Sequence, residues 1–129
     1  MENLTTTYGV SLLTTHHTLE RVRDRSDYAV RMVDRVFVLG RADAVTLYEI
    51  YDADPEATRD VKHEVAERFA EALDHYYERR FDAALRLLSE CQAALGEDRV
   101  VATFVQRCWR NLADPPGPEW TGVERIVHK

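Results

Sequence analysis

The chain has 129 residues, 45% of them apolar and 31% charged, with a formal net charge of −6. This length suits one ordinary domain or two small ones, and the apolar fraction supports a real core, which excludes disorder as the overall class. The acidic balance argues against nucleic acid as a partner: the basic residues from Arg21 to Arg35 are interleaved with Glu20, Asp24, Asp27 and Asp34 instead of forming the basic stripe that phosphate backbones require.

In chain order, Met1 to Tyr8 reads as a helix end stopped by Gly9 as C-cap. Val10 to Leu13 has strand length, and Thr14 or Thr15 can cap a helix over His16 to Arg23. Tyr28 to Leu39 alternates with period two, with a kink or bulge expected at Asp34–Arg35. Gly40 to Asp43 supplies a turn, and Val45 to Tyr51 completes a β-hairpin.

The character changes at Asp52 to Pro55, where Asp54 is the expected N-cap and Pro55 the first helical residue. Val61, Val65, Phe69, Leu73 and Tyr76 then mark one long amphipathic helix to about Arg79. Phe81, Ala84, Leu85, Leu88, Cys91 and Leu95 form the stripe of a second helix, ended by Gly96. Asp98 caps a third helix with Val101, Phe104, Val105, Cys108 and Leu112 on its apolar face, and Asp114-Pro-Pro-Gly-Pro stops it. The remainder, from Glu119, is an extended tail, and Trp120 is expected to fold back onto the helical hairpin near Tyr76, Tyr77 or Phe81. The fold class is therefore α+β, with a β-rich part over residues 1–53 and a three-helix part over 54–129.

Few residues carry recognisable chemistry. His63-Glu64-Val65-Ala66-Glu67 has glutamate where a zinc-protease helix needs its second histidine, so no metal site is expected. His16 and His17 point about 100° apart on a helix and cannot share an ion. Cys91 and Cys108 lack CxxC partners and sit where small hydrophobes belong, although sequence leaves a disulfide between them open. The five glycines are scattered and form no phosphate-binding loop. No apolar run approaches the roughly 20 residues of a membrane span, and the N-terminus lacks a signal pattern. The expected setting is reduced and cytoplasmic, with no membrane contact by this chain. The segment from Tyr76 to Leu85 resembles the middle of a tetratricopeptide repeat, in which small alanines such as Ala84 let two helices approach and Phe69 falls near the first large aromatic. In that comparison the turn is one residue short, Arg80 replaces the usual glycine, and no second repeat follows.

Two separate segments resemble one family. Met1-Glu-Asn-Leu-Thr-Thr-Thr-Tyr-Gly-Val, followed by Ser11-Leu-Leu-Thr, is similar to the "LEGLTKxYG" helix end and strand of class III nucleotide cyclases. The run from Val30 to Arg41, closing in Val45-Thr-Leu-Tyr-Glu-Ile, is similar to that family's final hairpin, "R-x-L-D-x-V-x-V-K-G-R" and then "V-x-I-Y-E-V". The helical part resembles the C-terminal extension of many bacterial members: Tyr76 to Leu85, Arg107-Cys108 with Leu112, Pro115-Pro116 with Trp120 and Gly122, and a final Lys129.

The resemblance implies the last part of a cyclase homology domain over 1–53, followed by a helical extension over 54–129 with one tetratricopeptide-like hairpin. It further implies a parent that makes a cyclic purine nucleotide in signal transduction, using Mg or Mn, and that can carry membrane segments upstream. The family's metal-binding aspartates and its Asn/Arg pair lie upstream of the segment matching Met1, so this chain alone is expected to be inactive. Met1 itself falls where the family has an internal helix position, which fits an internal start, a truncated gene or a fragment. Leu39 stands where some members have a phosphate-contacting lysine, and Arg41, two residues on, is the one candidate substitute. The residues expected to matter structurally are Phe69, Tyr76, Phe81, Ala84, Leu85, Leu88 and Trp120. Expected partners are a second copy or an intact cyclase domain, and a protein held by the helical extension. The rival reading is a free-standing helical interaction module without nucleotide chemistry.

Overall fold

The computed structural model describes residues 8–10, 12–16, 18, 29–37 and 43–125. They divide into two compact units, one holding the described residues up to Asp54 together with 123–125, the other spanning Pro55–Gly122. The architecture is α+β, as the sequence leads one to expect.

The first unit is built on a sheet of order β1-β3-β2-β4. Strand β2 (Val30–Phe37) pairs antiparallel with β3 (Ala44–Ile50), from Val30 opposite Ile50 to Phe37 opposite Ala44. The bulge falls between Met32 and Asp34, slightly earlier than expected. The extra residue turns two neighbours, Val33 and Asp34, inward together, and both are fully buried. Strand β1 (Leu13–Thr15) lies later than the expected run and pairs antiparallel with β3. Thr15 ends that strand and also starts a helical turn, its Oγ1 accepting from the Thr18 N–H at 3.2 Å. Gly9 takes the positive φ of a helix stop, 66°. The rest of the expected N-terminal helix, most of the His16–Arg23 helix and the Gly40–Ala42 turn lie outside the described residues. Strand β4 (Glu124–Arg125), where only an extended tail was expected, adds to the other edge and runs parallel to β2.

The second unit is helical. Its first helix does not start as expected: Asp54 donates its N–H to Tyr51 O at 3.1 Å, closing a turn, while Pro55 holds the N-cap position without a side-chain cap. Helix α1 (Glu56–Glu64) and helix α2 (Ala66–Tyr77) replace the single long helix. Val65 between them sits at φ −97°, ψ 5°, yet its N–H still reaches Val61 O and its carbonyl still accepts from Phe69, so the break is a kink. Helix α3 (Phe81–Leu95) ends at Gly96, whose φ is 74°. Helix α4 (Arg99–Ala113) is capped by Asp98, whose carboxylate accepts from the Val101 N–H at 3.0 Å.

Helix α2 packs on α3 and α3 on α4. Much of the stripe expected from spacing forms the core: Val65 at the kink, Phe69, Leu73 and Tyr76 on α2, Phe81, Ala84, Leu88 and Cys91 on α3, Val101, Phe104 and Cys108 on α4. Val61, Leu95 and Val105 are only half-buried and Leu112 is exposed, because they sit at the margins of the apolar stripe. Ala84 is fully buried and offers only a methyl, which lets α2 and α3 approach closely. Leu85 is half-buried instead of joining the core fully. Both cysteines are buried free thiols, and burial pushes the Cys108 thiol up to about 11. No helix among the described residues is long and apolar enough to cross a membrane.

Candidate functional site

The densest assembly of side chains in the helical unit lies where α2 turns into α3. Helix α2 closes in a Schellman motif: Arg80 N–H reaches back to His75 O at 2.8 Å and Arg79 N–H to Tyr76 O at 3.1 Å. The residue at the left-handed position is Arg79, with φ 69°. The position that glycine normally fills is therefore Arg79, one residue before the Arg80 expected from the repeat-like pattern. An L-residue there costs about 1–2 kcal/mol of backbone strain. Arg80 secures the same turn, its Nε donating to His75 Nδ1 at 2.8 Å and its guanidinium pairing with Glu78 at 2.6 Å.

The strained Arg79 meets the tail. Its guanidinium donates to the carbonyls of Pro116 (3.1 Å), Gly117 and Trp120 (3.4 Å) and lies 5.4 Å over the Trp120 ring. Trp120 in turn sits edge-to-face on Tyr76 at 5.5 Å and Phe81 at 5.3 Å. Tyr76 also meets Tyr77, Phe81 and Phe104, and Phe69 meets Phe104 at 6.4 Å. Trp120 thus folds back where the sequence leads one to expect. Gly122 follows with φ 84°, and a Cβ there would lie 2.6 Å from Tyr77 Cδ1. Only glycine fits that crossing.

Arg79 provides a direct test of strain against contact. Arg79→Ala keeps the positive φ and loses the carbonyl contacts, which for an exposed guanidinium should cost about 1–2 kcal/mol in urea unfolding. Arg79→Gly loses the same contacts but relieves the backbone, and should be more stable than the alanine variant by about 1 kcal/mol. Equal midpoints for the two variants would show that the turn stores no strain.

In the sheet unit, the two stretches that carry the family resemblance meet. Tyr8 Oη donates to Asp34 Oδ2 at 2.6 Å in a buried contact, and Asp34 Oδ1 accepts from the Arg35 N–H. Arg31 and Glu49, directly opposite on β2 and β3, form a buried ion pair at 2.6 Å. Tyr51 is buried, and its phenol is pushed up by desolvation, with Arg31 opposing that shift. These are interior, position-fixing interactions. Arg41 and Leu39 lie outside the described residues.

Other candidates stay apart. His63, Glu64 and Glu67 are all exposed, and His16 Nδ1 accepts from the Thr46 N–H at 3.2 Å. Among the described residues no three His, Cys, Asp or Glu side chains are grouped to hold a metal ion.

Comparison with known proteins gives a relationship at a coarse level. The chain is 29% identical over 112 residues, 86% of its length, to the terminal-differentiation-specific adenylate cyclase of Dictyostelium discoideum. The chain is related to an adenylate cyclase. It spans 5% of that relative's length. No family model matches the chain, and no solved structure matches it.

Proposed function

We propose that this chain is the closing portion of a class III nucleotide cyclase, the end of a cyclase homology domain followed by a helical extension of the type seen in bacterial members. The observation that carries the reading is the similarity to an adenylate cyclase along 86% of the chain. The Tyr8–Asp34 bond supports it, because it joins the tyrosine of the "YG" helix end to the aspartate of the hairpin motif. On this reading the parent makes a cyclic purine nucleotide with Mg or Mn in the cytoplasm, and acts as a dimer or with another cyclase domain. The chain contributes scaffold and a tetratricopeptide-like extension. A second reading, a helical interaction module, draws support from α4, where Trp109 is 60% exposed and Leu112, one turn on, is 41% exposed.

The test is an assay of purified chain 1–129 with ATP or GTP and either metal. No cyclic nucleotide above a protein-free blank is expected, because the segments that supply metal-binding aspartates and the Asn/Arg pair in the resembled family are upstream of those matched here. The longest protein encoded with this segment should be active under the same conditions. Turnover by 1–129 that survives repurification would overturn the assignment of a non-catalytic role.

A further inference from the structure

We propose that the outward face of α4 docks on the outward face of α2 in a second copy of this chain, a head-to-tail contact between helical units. Helices α2 and α4 both pack on α3, and each keeps one side in solvent. On α4, Val105, Trp109 and Leu112 recur at four- and three-residue spacing. Val105 is only half-buried, Trp109 is 60% exposed and Leu112 is 41% exposed. The same helix has three arginines, Arg99, Arg107 and Arg110, and no acidic residue, in a chain whose net charge is −6. Arg99 and Arg110 share its exposed side. Tryptophan and arginine are the residue types that most often anchor protein interfaces.

Charge selects the partner surface. Two α4 faces laid together would set arginine against arginine, which disfavours a symmetric pair. Helix α2 supplies the complement: Glu67, Ala70, Glu71 and Asp74, at i, i+3, i+4 and i+7, lie on one face and are all exposed. Of the basic residues on that helix, Arg68 turns to Glu90 on α3 at 3.5 Å, and His75 lies 3.7 Å from Glu71. Ala70 offers only a methyl, so an indole can lie close to the helix beside the carboxylates. The two faces are different surfaces of one helical unit, so the contact is heterologous. One helix face per copy is at the small end of interface sizes, so the association is weak and grows with concentration. It needs no nucleotide chemistry and stands or falls apart from the cyclase reading.

The experiment is sedimentation velocity of the full chain over a concentration series. The average mass of the unaltered chain should rise with concentration. Trp109→Ala should weaken the association at least about tenfold, and Glu67→Lys/Asp74→Lys should do the same. All three positions are exposed, so far-UV circular dichroism should not change. Mixed in equal amounts, the two variants should pair, because each retains the face that the other has lost. The proposal is overturned by an unaltered chain that stays monomeric up to about 1 mM, by Glu67→Lys/Asp74→Lys that self-associates undiminished, or by variants that fail to pair when mixed.

Discussion

Tyr76→Ala should destabilise the helical unit by about 3–5 kcal/mol, the range for truncating a large buried aromatic. Tyr76 is fully buried and its ring makes edge-to-face contacts with Tyr77 at 5.1 Å, Phe81 at 5.6 Å, Phe104 at 5.1 Å and Trp120 at 5.5 Å. Those neighbours come from α2, α3, α4 and the tail, so the cavity would open at the place where all four meet and could not collapse by moving one element. Tyr76→Phe keeps the ring and should retain most of the stability. Urea unfolding followed by far-UV circular dichroism gives both values. A loss below about 1 kcal/mol for alanine would mean the cluster is not the core of this unit.

The second large effect is expected in the sheet. Arg31→Ala leaves the Glu49 carboxylate, itself 1% exposed, buried without its cation. Removing one partner of a buried ion pair typically costs about 3–5 kcal/mol, whereas replacing both with apolar residues of similar volume is often neutral. Arg31→Met/Glu49→Leu should therefore recover most of what Arg31→Ala loses. Tyr51 gives an independent readout: the phenol is raised by burial and held back by Arg31, so Arg31→Met should move its titration further up. A double variant no more stable than Arg31→Ala would overturn the argument.

These features differ in how far the sequence announced them. Helices α3 and α4 were legible because their apolar spacing is regular and their ends carry chemistry, with Gly96 as a stop and Asp98 as a cap. The kink at Val65 was hidden because Val61, Val65 and Phe69 continue the helical spacing through it and the flanking hydrogen bonds persist. Arg79 could not be read as a left-handed residue, since its side-chain partners lie 37 to 41 residues further along the chain. Strand β4 has no periodicity to detect at two residues, and it pairs with a strand far from it in sequence. The Arg31–Glu49 pair was within reach: once the hairpin register is set by its alternating apolar residues, those two positions fall opposite each other.

The bulge at Val33 has a consequence for how this fold tolerates changes in length. With two successive side chains facing inward there, losing one of them restores strict alternation: Arg31, Asp34 and Val36 would still face the core. A one-residue deletion at Arg35 would instead turn Val36 outward and expose a fully buried valine. Gaps of a single residue between related hairpins should therefore settle at the bulge.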